Sequence, residues 1–139
     1  MGSILNPYIA FKDGQARAAA EFYQGVFGGE LNVNTFGDFG ATHEGIEPDW
    51  VMHGQLTTPS GYTIMVSDAA GSEISVGDNI SVSLSGDSVE ELRGYFQGLG
   101  AGGNVSMPLE KQMWGDEFGM VTDRFGIQWM VNIAGEAAG

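Results

Sequence analysis

The chain contains no cysteine, which excludes disulfides, thiolate metal sites, iron–sulfur clusters and cysteine nucleophiles together. Cations are scarce: Lys12, Arg17, Arg93, Lys111 and Arg124 stand against eighteen acidic residues, giving a formal net charge of −13. A field of that sign repels a phosphate backbone, so no nucleic-acid partner is expected. It favours a cationic small molecule, although acidity also simply keeps a protein in solution. Only His43 and His53 supply imidazoles, which limits both metal sites and general-base chemistry. No apolar run approaches the roughly 20 residues of a membrane span. The N-terminus also lacks the basic and apolar segments of a secretion signal. No membrane partner and a cytoplasmic location are therefore expected. The 139 residues suffice for one ordinary domain, 1–139, with a core that needs no staple.

What is present is written twice. Phe22-Tyr23-Gln24-Gly25-Val26 lies over Tyr95-Phe96-Gln97-Gly98-Leu99, 73 positions later, as aromatic, aromatic, Gln, Gly, aliphatic. Gly61-Tyr62-Thr63-Ile64-Met65-Val66 lies over Gly126-Ile127-Gln128-Trp129-Met130-Val131, 65 positions later. The two matches keep the same order in both halves, which points to a duplicated unit. The first unit spans about 4–68, a linker 69–77, and the second about 78–133.

Each half opens with a strand-like run, Pro7 to Phe11 or Ile80 to Leu84, followed by a helix-start signal. Asp13 is placed to cap a first helix whose apolar face is Ala16, Ala19, Ala20, Tyr23, Val26 and Phe27, ended by Gly28-Gly29. Ser88 with Glu91 forms a capping box before a second helix with the stripe Val89, Leu92, Phe96 and Leu99, ended by Gly100, Gly102 and Gly103. Three further strands follow each helix: Glu30 to Phe36, Trp50 to Thr57 and Tyr62 to Ser67, then Asn104 to Leu109, Phe118 to Thr122 and Ile127 to Ile133. The pattern is βαβββ twice. Thr58-Pro59-Ser60-Gly61 and Asp123-Arg124-Phe125-Gly126 are hairpin turns, and 37–49 and 110–117 are the long loops.

Alternation sends Ile9, Phe11, Ile64, Val66, Ile80, Val82, Leu84, Trp129 and Val131 toward the helices. The opposite face of these strands carries Tyr8, His53, Gln55, Thr63, Met65 and Ser67 in the first half. In the second half it carries Asn79, Ser81, Ser83, Phe118, Met120, Gln128, Met130 and Asn132. None of these is charged. A sheet face open to water normally carries charge, so this set reads as the lining of a concavity with uncharged hydrogen-bonding groups. The competing reading is a protein interface or a plain solvated surface.

Five segments together resemble a known family. Pro7-Tyr8-Ile9-Ala10-Phe11, Phe22-Tyr23 with Phe27-Gly28-Gly29, His53-Gly54-Gln55-Leu56 and Met65-Val66-Ser67-Asp68 are four of them. The fifth runs from Trp114-Gly115-Asp116-Glu117-Phe118-Gly119 through Asp123-Arg124-Phe125-Gly126. Over residues 4 to 133 the chain resembles the PhnB-like branch of the vicinal oxygen chelate superfamily, which holds glyoxalases, bleomycin-resistance proteins and dihydroxybiphenyl dioxygenases. The resemblance implies an α+β fold in which two tandem βαβββ modules form a curled, cup-shaped mixed sheet with helices on its outer face, commonly as a homodimer.

Metal enzymes of that superfamily place His and Glu ligands on the first and last strand of each module. The resemblance puts Tyr8 and Met65 at these positions in the first half, and Ser81 and Met130 in the second. Neither a thioether nor a hydroxyl replaces imidazole or carboxylate for a hard or borderline divalent cation, so no metal and no cofactor are expected. The Gly98 to Gly103 run formally matches a dinucleotide fingerprint but closes a helix instead of opening one, and is set aside. His43 reads as a solvated loop residue. Asp116, Glu117 and Asp123 admit a weak cation site, but isolated surface carboxylates are the ordinary explanation.

The expected function is binding of an unidentified small molecule. The candidate contacts are Tyr8, His53, Gln55, Met65, Ser67, Ser81, Trp114, Phe118, Met120 and Met130. Flexible methionines suit variable apolar ligands. A second possibility is a lyase or isomerase acting on a small oxygenated substrate, with His53 as base and Tyr8 as proton donor. A third is a dimeric scaffold with a vestigial cup.

Overall fold

Both helices occupy the positions that the repeat requires. In a computed structural model that describes residues 2–41, 44–69 and 73–135, α1 spans Ala16–Phe27 and α2 spans Val89–Gly100. Their first residues and their last residues are each 73 positions apart. The strands are β1 (Tyr8–Phe11), β2 (Glu30–Thr35), β3 (Val51–Thr57) and β4 (Thr63–Asp68), then β5 (Val82–Gly86), β6 (Asn104–Lys111), β7 (Glu117–Thr122) and β8 (Gln128–Ile133). β4 and β8 start and end 65 positions apart. The chain divides into two compact units, residues 1–76 and 77–139.

Unit 1 is a four-stranded mixed sheet of order β1-β4-β3-β2, with β1 parallel to β4 and the other pairs antiparallel. Helix α1 packs on β2, β3 and β4. It buries Ala16, Ala19, Ala20, Tyr23 and Phe27 against Phe11, Val51, Leu56, Ile64 and Val66. Each large side chain removed from water contributes about 1.5–3 kcal/mol. Unit 2 repeats the arrangement with order β5-β8-β7-β6 and β5 parallel to β8. There α2 buries Leu92, Tyr95, Phe96 and Leu99 over a sheet whose buried side chains are Leu84, Val121, Trp129, Val131 and Ile133. The α+β class with two βαβββ units is as the sequence implies. No helix among the described residues is long and apolar enough to cross a membrane.

The helix starts differ from expectation. Asp13 does not cap α1: it takes a positive φ of 56° and the cap position is Gln15, which makes no side-chain cap bond. The cap comes from 52 residues away, where Asp68 Oδ1 accepts the Ala16 N–H at 2.9 Å while Oδ2 accepts the Val51 N–H at 2.8 Å. Ser88 is the cap residue of α2, but its side chain makes no cap bond. Glu91 accepts the Tyr95 hydroxyl instead of closing the box.

Each helix ends against its hairpin. A β-carbon on Gly29 would lie 2.1 Å from the Thr57 carbonyl oxygen, and one on Gly103 would lie 2.3 Å from that of Thr122. Only glycine permits either approach. The two hairpin turns correspond bond for bond. Thr58 N–H donates to the Tyr62 carbonyl and Gly61 N–H to that of Thr58; Asp123 and Gly126 do the same with Ile127 and Asp123.

Three boundaries also move. β5 begins at Val82, which leaves Ile80 78% exposed instead of facing α2, with Asn79 exposed and Ser81 just before the strand. β6 runs on to Lys111, so the expected 110–117 loop shrinks to 112–116. The 37–49 segment opens with one turn of 3₁₀ helix at Gly37–Phe39. His43 lies outside the described residues, as do residues 70–72 of the linker.

Asp68 is buried and its carboxylate accepts two backbone N–H groups, those of Ala16 and Val51. Replacing it with Ala strands both N–H groups, and the expected loss is about 2–4 kcal/mol of unfolding free energy. Asp68→Asn, which keeps one oxygen acceptor, is expected to lose less. Urea denaturation of the two variants checks the order; equal losses would show that the acceptor Asn retains contributes nothing.

Candidate functional site

In a four-stranded sheet with one helix layer, the side chains that alternate away from the helix remain accessible. In unit 1 the register lines up Tyr8, Met65, Gln55 and Asn32 as one row across all four strands. His53 lies opposite Asn34, and Ala10 opposite Ser67. The Tyr8 and His53 ring centroids are 6.0 Å apart with planes tilted by 46°, so the phenol and imidazole are neighbours. Tyr8 is 57% exposed, whereas His53, Gln55, Met65 and Ser67 are half-buried. The Ser67 hydroxyl donates to the Met52 carbonyl at 2.8 Å, which leaves its lone pairs as its offering to a ligand.

In unit 2 the rows are Ser83, Met130, Met120 and Met107, then Ser85, Asn132, Phe118 and Glu110, with Gln128, Thr122 and Asn104 on the other side. Met120 pairs with Met130 across β7 and β8, and Phe118 lies two residues before Met120 on the same face. Trp114, 63% exposed, sits with its ring centroid 6.3 Å from that of Phe118.

The first-strand position of unit 2 is corrected by this register. Met130 pairs with Ser83, just as Met65 pairs with Tyr8. Ser83, not Ser81, is therefore the counterpart of Tyr8. The offset of 73 that aligns the helices slips by two residues at the strand before them. Corrected or not, the four positions offer one phenol, one alcohol and two thioethers. This donor set does not fit a divalent cation, which needs imidazole nitrogens or carboxylate oxygens. Nor does any group of three His, Cys, Asp or Glu capable of holding a metal occur among the described residues.

The carboxylates weighed as a cation site are each committed elsewhere. Asp123 accepts the Phe125 and Ile127 N–H groups through Oδ1 and the buried Trp129 indole N–H through Oδ2 at 2.9 Å. Glu117 holds Arg93 through a two-point contact, the shorter arm at 2.8 Å. That hydrogen bond and the Glu117 charge raise the Arg93 pKa above its ordinary value. Asp116 accepts the Asn132 side-chain N–H at 2.9 Å and the Gly135 N–H at 2.8 Å. It thereby fixes the amide that stands beside Phe118. An open cavity of about 340 Å³ bordered by Val89, Arg93, Lys111, Glu117, Ile133 and Gly135 contains none of the expected contacts. Arg93 and Glu117 direct their charges at each other there.

Asn32, Asn34 and Met107 extend the accessible faces beyond the sequence-derived set. The Asn-x-Asn alternation of β2 carried the first two. Met107 was hidden by register shifts on both sides of it in β6. The same completion brings Glu30 and Glu110 onto these faces at the outer strands. The faces are thus free of charge on their inner strands but not at their borders.

The Asn132 bond, followed by the Gly135 N–H, holds the Asp116 carboxyl below the usual carboxylate range. Its stabilising contribution is accordingly present above the ordinary aspartate value of about 3.9 and lost as pH falls through the lower folded value. A carbon-detected NMR titration is expected to place the Asp116 midpoint below that ordinary value, and Asn132→Ala is expected to move it upward. A midpoint indifferent to Asn132 would contradict the assigned cause.

The sequence model of the Glyoxalase/Bleomycin resistance protein/Dioxygenase superfamily matches residues 7–131. The chain is 31% identical to the protein YjdN of Escherichia coli, over 93% of this chain and 94% of that one. Protein PA1353 of Pseudomonas aeruginosa has a solved structure that superposes with a TM-score of 0.79 at 36% identity, covering 95% of this chain and 98% of that chain. A PhnB protein from Bacillus cereus shares the fold with a TM-score of 0.74 at 21% identity, covering 95% of this chain and all of that one (100%).

Proposed function

Because this chain belongs to the Glyoxalase/Bleomycin resistance protein/Dioxygenase superfamily, we propose that it binds a small molecule on the helix-free faces of its sheets without a divalent metal. The observation that carries this reading is the composition of those faces. They offer a phenol on β1 and an imidazole, amides, hydroxyls, thioethers and an aromatic ring on the inner strands, with no cation-gripping set and no charge on those inner strands. Such a lining recognises shape and hydrogen-bond pattern, with flexible methionines adjusting to apolar parts of the ligand. Glu30 and Glu110 at the borders, within a field of −13 overall, favour a neutral or cationic ligand over an anionic one. A cytoplasmic homodimer completes the proposal.

The contact between the Tyr8 and His53 rings supports a second reading, a lyase or isomerase acting on a small oxygenated substrate. His53 takes the proton there and Tyr8 donates one. Both groups sit within reach of one small molecule resting on Met65 and Gln55.

Thermal-shift titration is expected to show no saturable stabilisation by Ni²⁺, Zn²⁺ or Mn²⁺. A panel of neutral and cationic aromatic metabolites and antibiotics is expected to contain stabilising members. A ligand at a hundredfold excess over its Kd adds about 2.7 kcal/mol. A saturable divalent shift reversed by chelator would overturn the metal-independent reading. For any compound that binds, His53→Ala separates the two activities: loss of product formation with binding retained identifies the enzyme, and absence of product from the parent protein leaves the binding protein.

A further inference from the structure

Three of the seven methionines stand side by side. Met107 on β6 lies opposite Met120 on β7, and Met120 lies opposite Met130 on β8. Directly opposed residues carry their β-carbons about 4.5–5.5 Å apart. Three rotatable bonds per side chain then let neighbouring thioethers turn toward a common point. None of the three belongs to the buried core. Met107 is 40% exposed, and Met120 and Met130 are half-buried on the face away from α2, alternating with buried Val121, Trp129 and Val131. The row beside them is polar, Gln128, Thr122 and Asn104, so the sulfurs do not continue an apolar floor on that side.

The donor chemistry that fails for a hard divalent cation is the chemistry that a soft monovalent cation prefers, because thioether sulfur is polarisable and uncharged. We propose that Met107, Met120 and Met130 form a three-sulfur site for a soft monovalent ion, Cu(I) or Ag(I). The ligands carry no charge, so the bound ion keeps its own. The surrounding field suits that: Glu110 stands in the adjacent row opposite Phe118, and the chain as a whole is strongly acidic. Ser83, opposite Met130, closes the row with a hydroxyl that does not compete with sulfur for such an ion. The site shares Met120 and Met130 with the face assigned to the small molecule, but the small-molecule reading requires neither the ion nor the convergence of the three sulfurs.

Silver nitrate in chloride-free buffer, followed through ¹³C-labelled methionine methyl signals of the full chain, tests the site. The expected result is saturation at one ion per chain, with the methyls of Met107, Met120 and Met130 shifting and those of Met113 and Met52 unmoved. Equimolar Zn²⁺ is expected to leave all of them in place. Met120→Leu keeps the bulk of the side chain and is expected to weaken Ag(I) at least tenfold. Met107→Leu, at the exposed edge strand where folding is not at stake, is expected to weaken it as well. Shifts spread over all seven methyls with more than one ion per chain would overturn the site. Undiminished affinity in both leucine variants would do the same.

Discussion

Each sheet has four strands and a single helix to cover them, and almost everything else in the molecule follows from that shortage. A helix buries one face only, so alternate residues along every strand divide into a set that holds the fold together and a set left free. The division is unforgiving, because a slip of one residue in any pairing would send the buried set to the outside. In unit 1 this separates Ile64 and Val66 from Met65 and Ser67 on one strand; in unit 2 it separates Trp129 and Val131 from Met130 and Asn132. The free sets are the ones that diverge between the halves: Tyr8, Met65, Gln55 and Asn32 in the first row of unit 1 correspond in position to Ser83, Met130, Met120 and Met107 in unit 2.

The buried carboxylates show how the two halves have gone separate ways while keeping their frame. Asp68 ends β4 and ties the start of α1 to the start of β3. Its counterpart at the end of β8 is Ile133, an apolar residue paired with Gly86. Unit 2 places its buried acid in the hairpin instead. Asp123 organises the turn and anchors Trp129 there, while the matching Thr58 in unit 1 accepts one N–H through its hydroxyl. Among the described residues each half thus has one buried carboxylate both of whose oxygens accept N–H bonds, a condition under which a buried charge is tolerated. The two serve different joints.

Much of this was legible in the residues because it is local. The aromatic-Gln-Gly repeat and the turn glycines placed both helices and both hairpins, and alternation identified most of the inward side chains. Two of the failures share one cause, which is that the deciding contact is remote in sequence. Asp13 is a reasonable cap by position, yet Asp68 takes the role from 52 residues away. Ile80 looks like the start of a strand, but β5 gains its partner on β8 only from Val82 onward. Met107 could not be assigned to a face because the bulges of β6 break the two-residue period on which such an assignment rests. The outer strands β2 and β6 therefore supplied what alternation on the inner strands could not reveal, including the two border glutamates.

Two of the three tryptophans give the molecule a built-in optical contrast. Trp129 lies buried with its indole hydrogen bonded to a carboxylate, whereas Trp114 stands mostly in water beside Phe118 at the rim of the free face. Their emission differs accordingly: the first is shielded from dissolved quenchers until the fold itself opens, while the second is quenched from the outset and dims or brightens when something covers it. Intrinsic fluorescence can thus distinguish occupancy of the surface from loss of the core in a single sample, with no added dye.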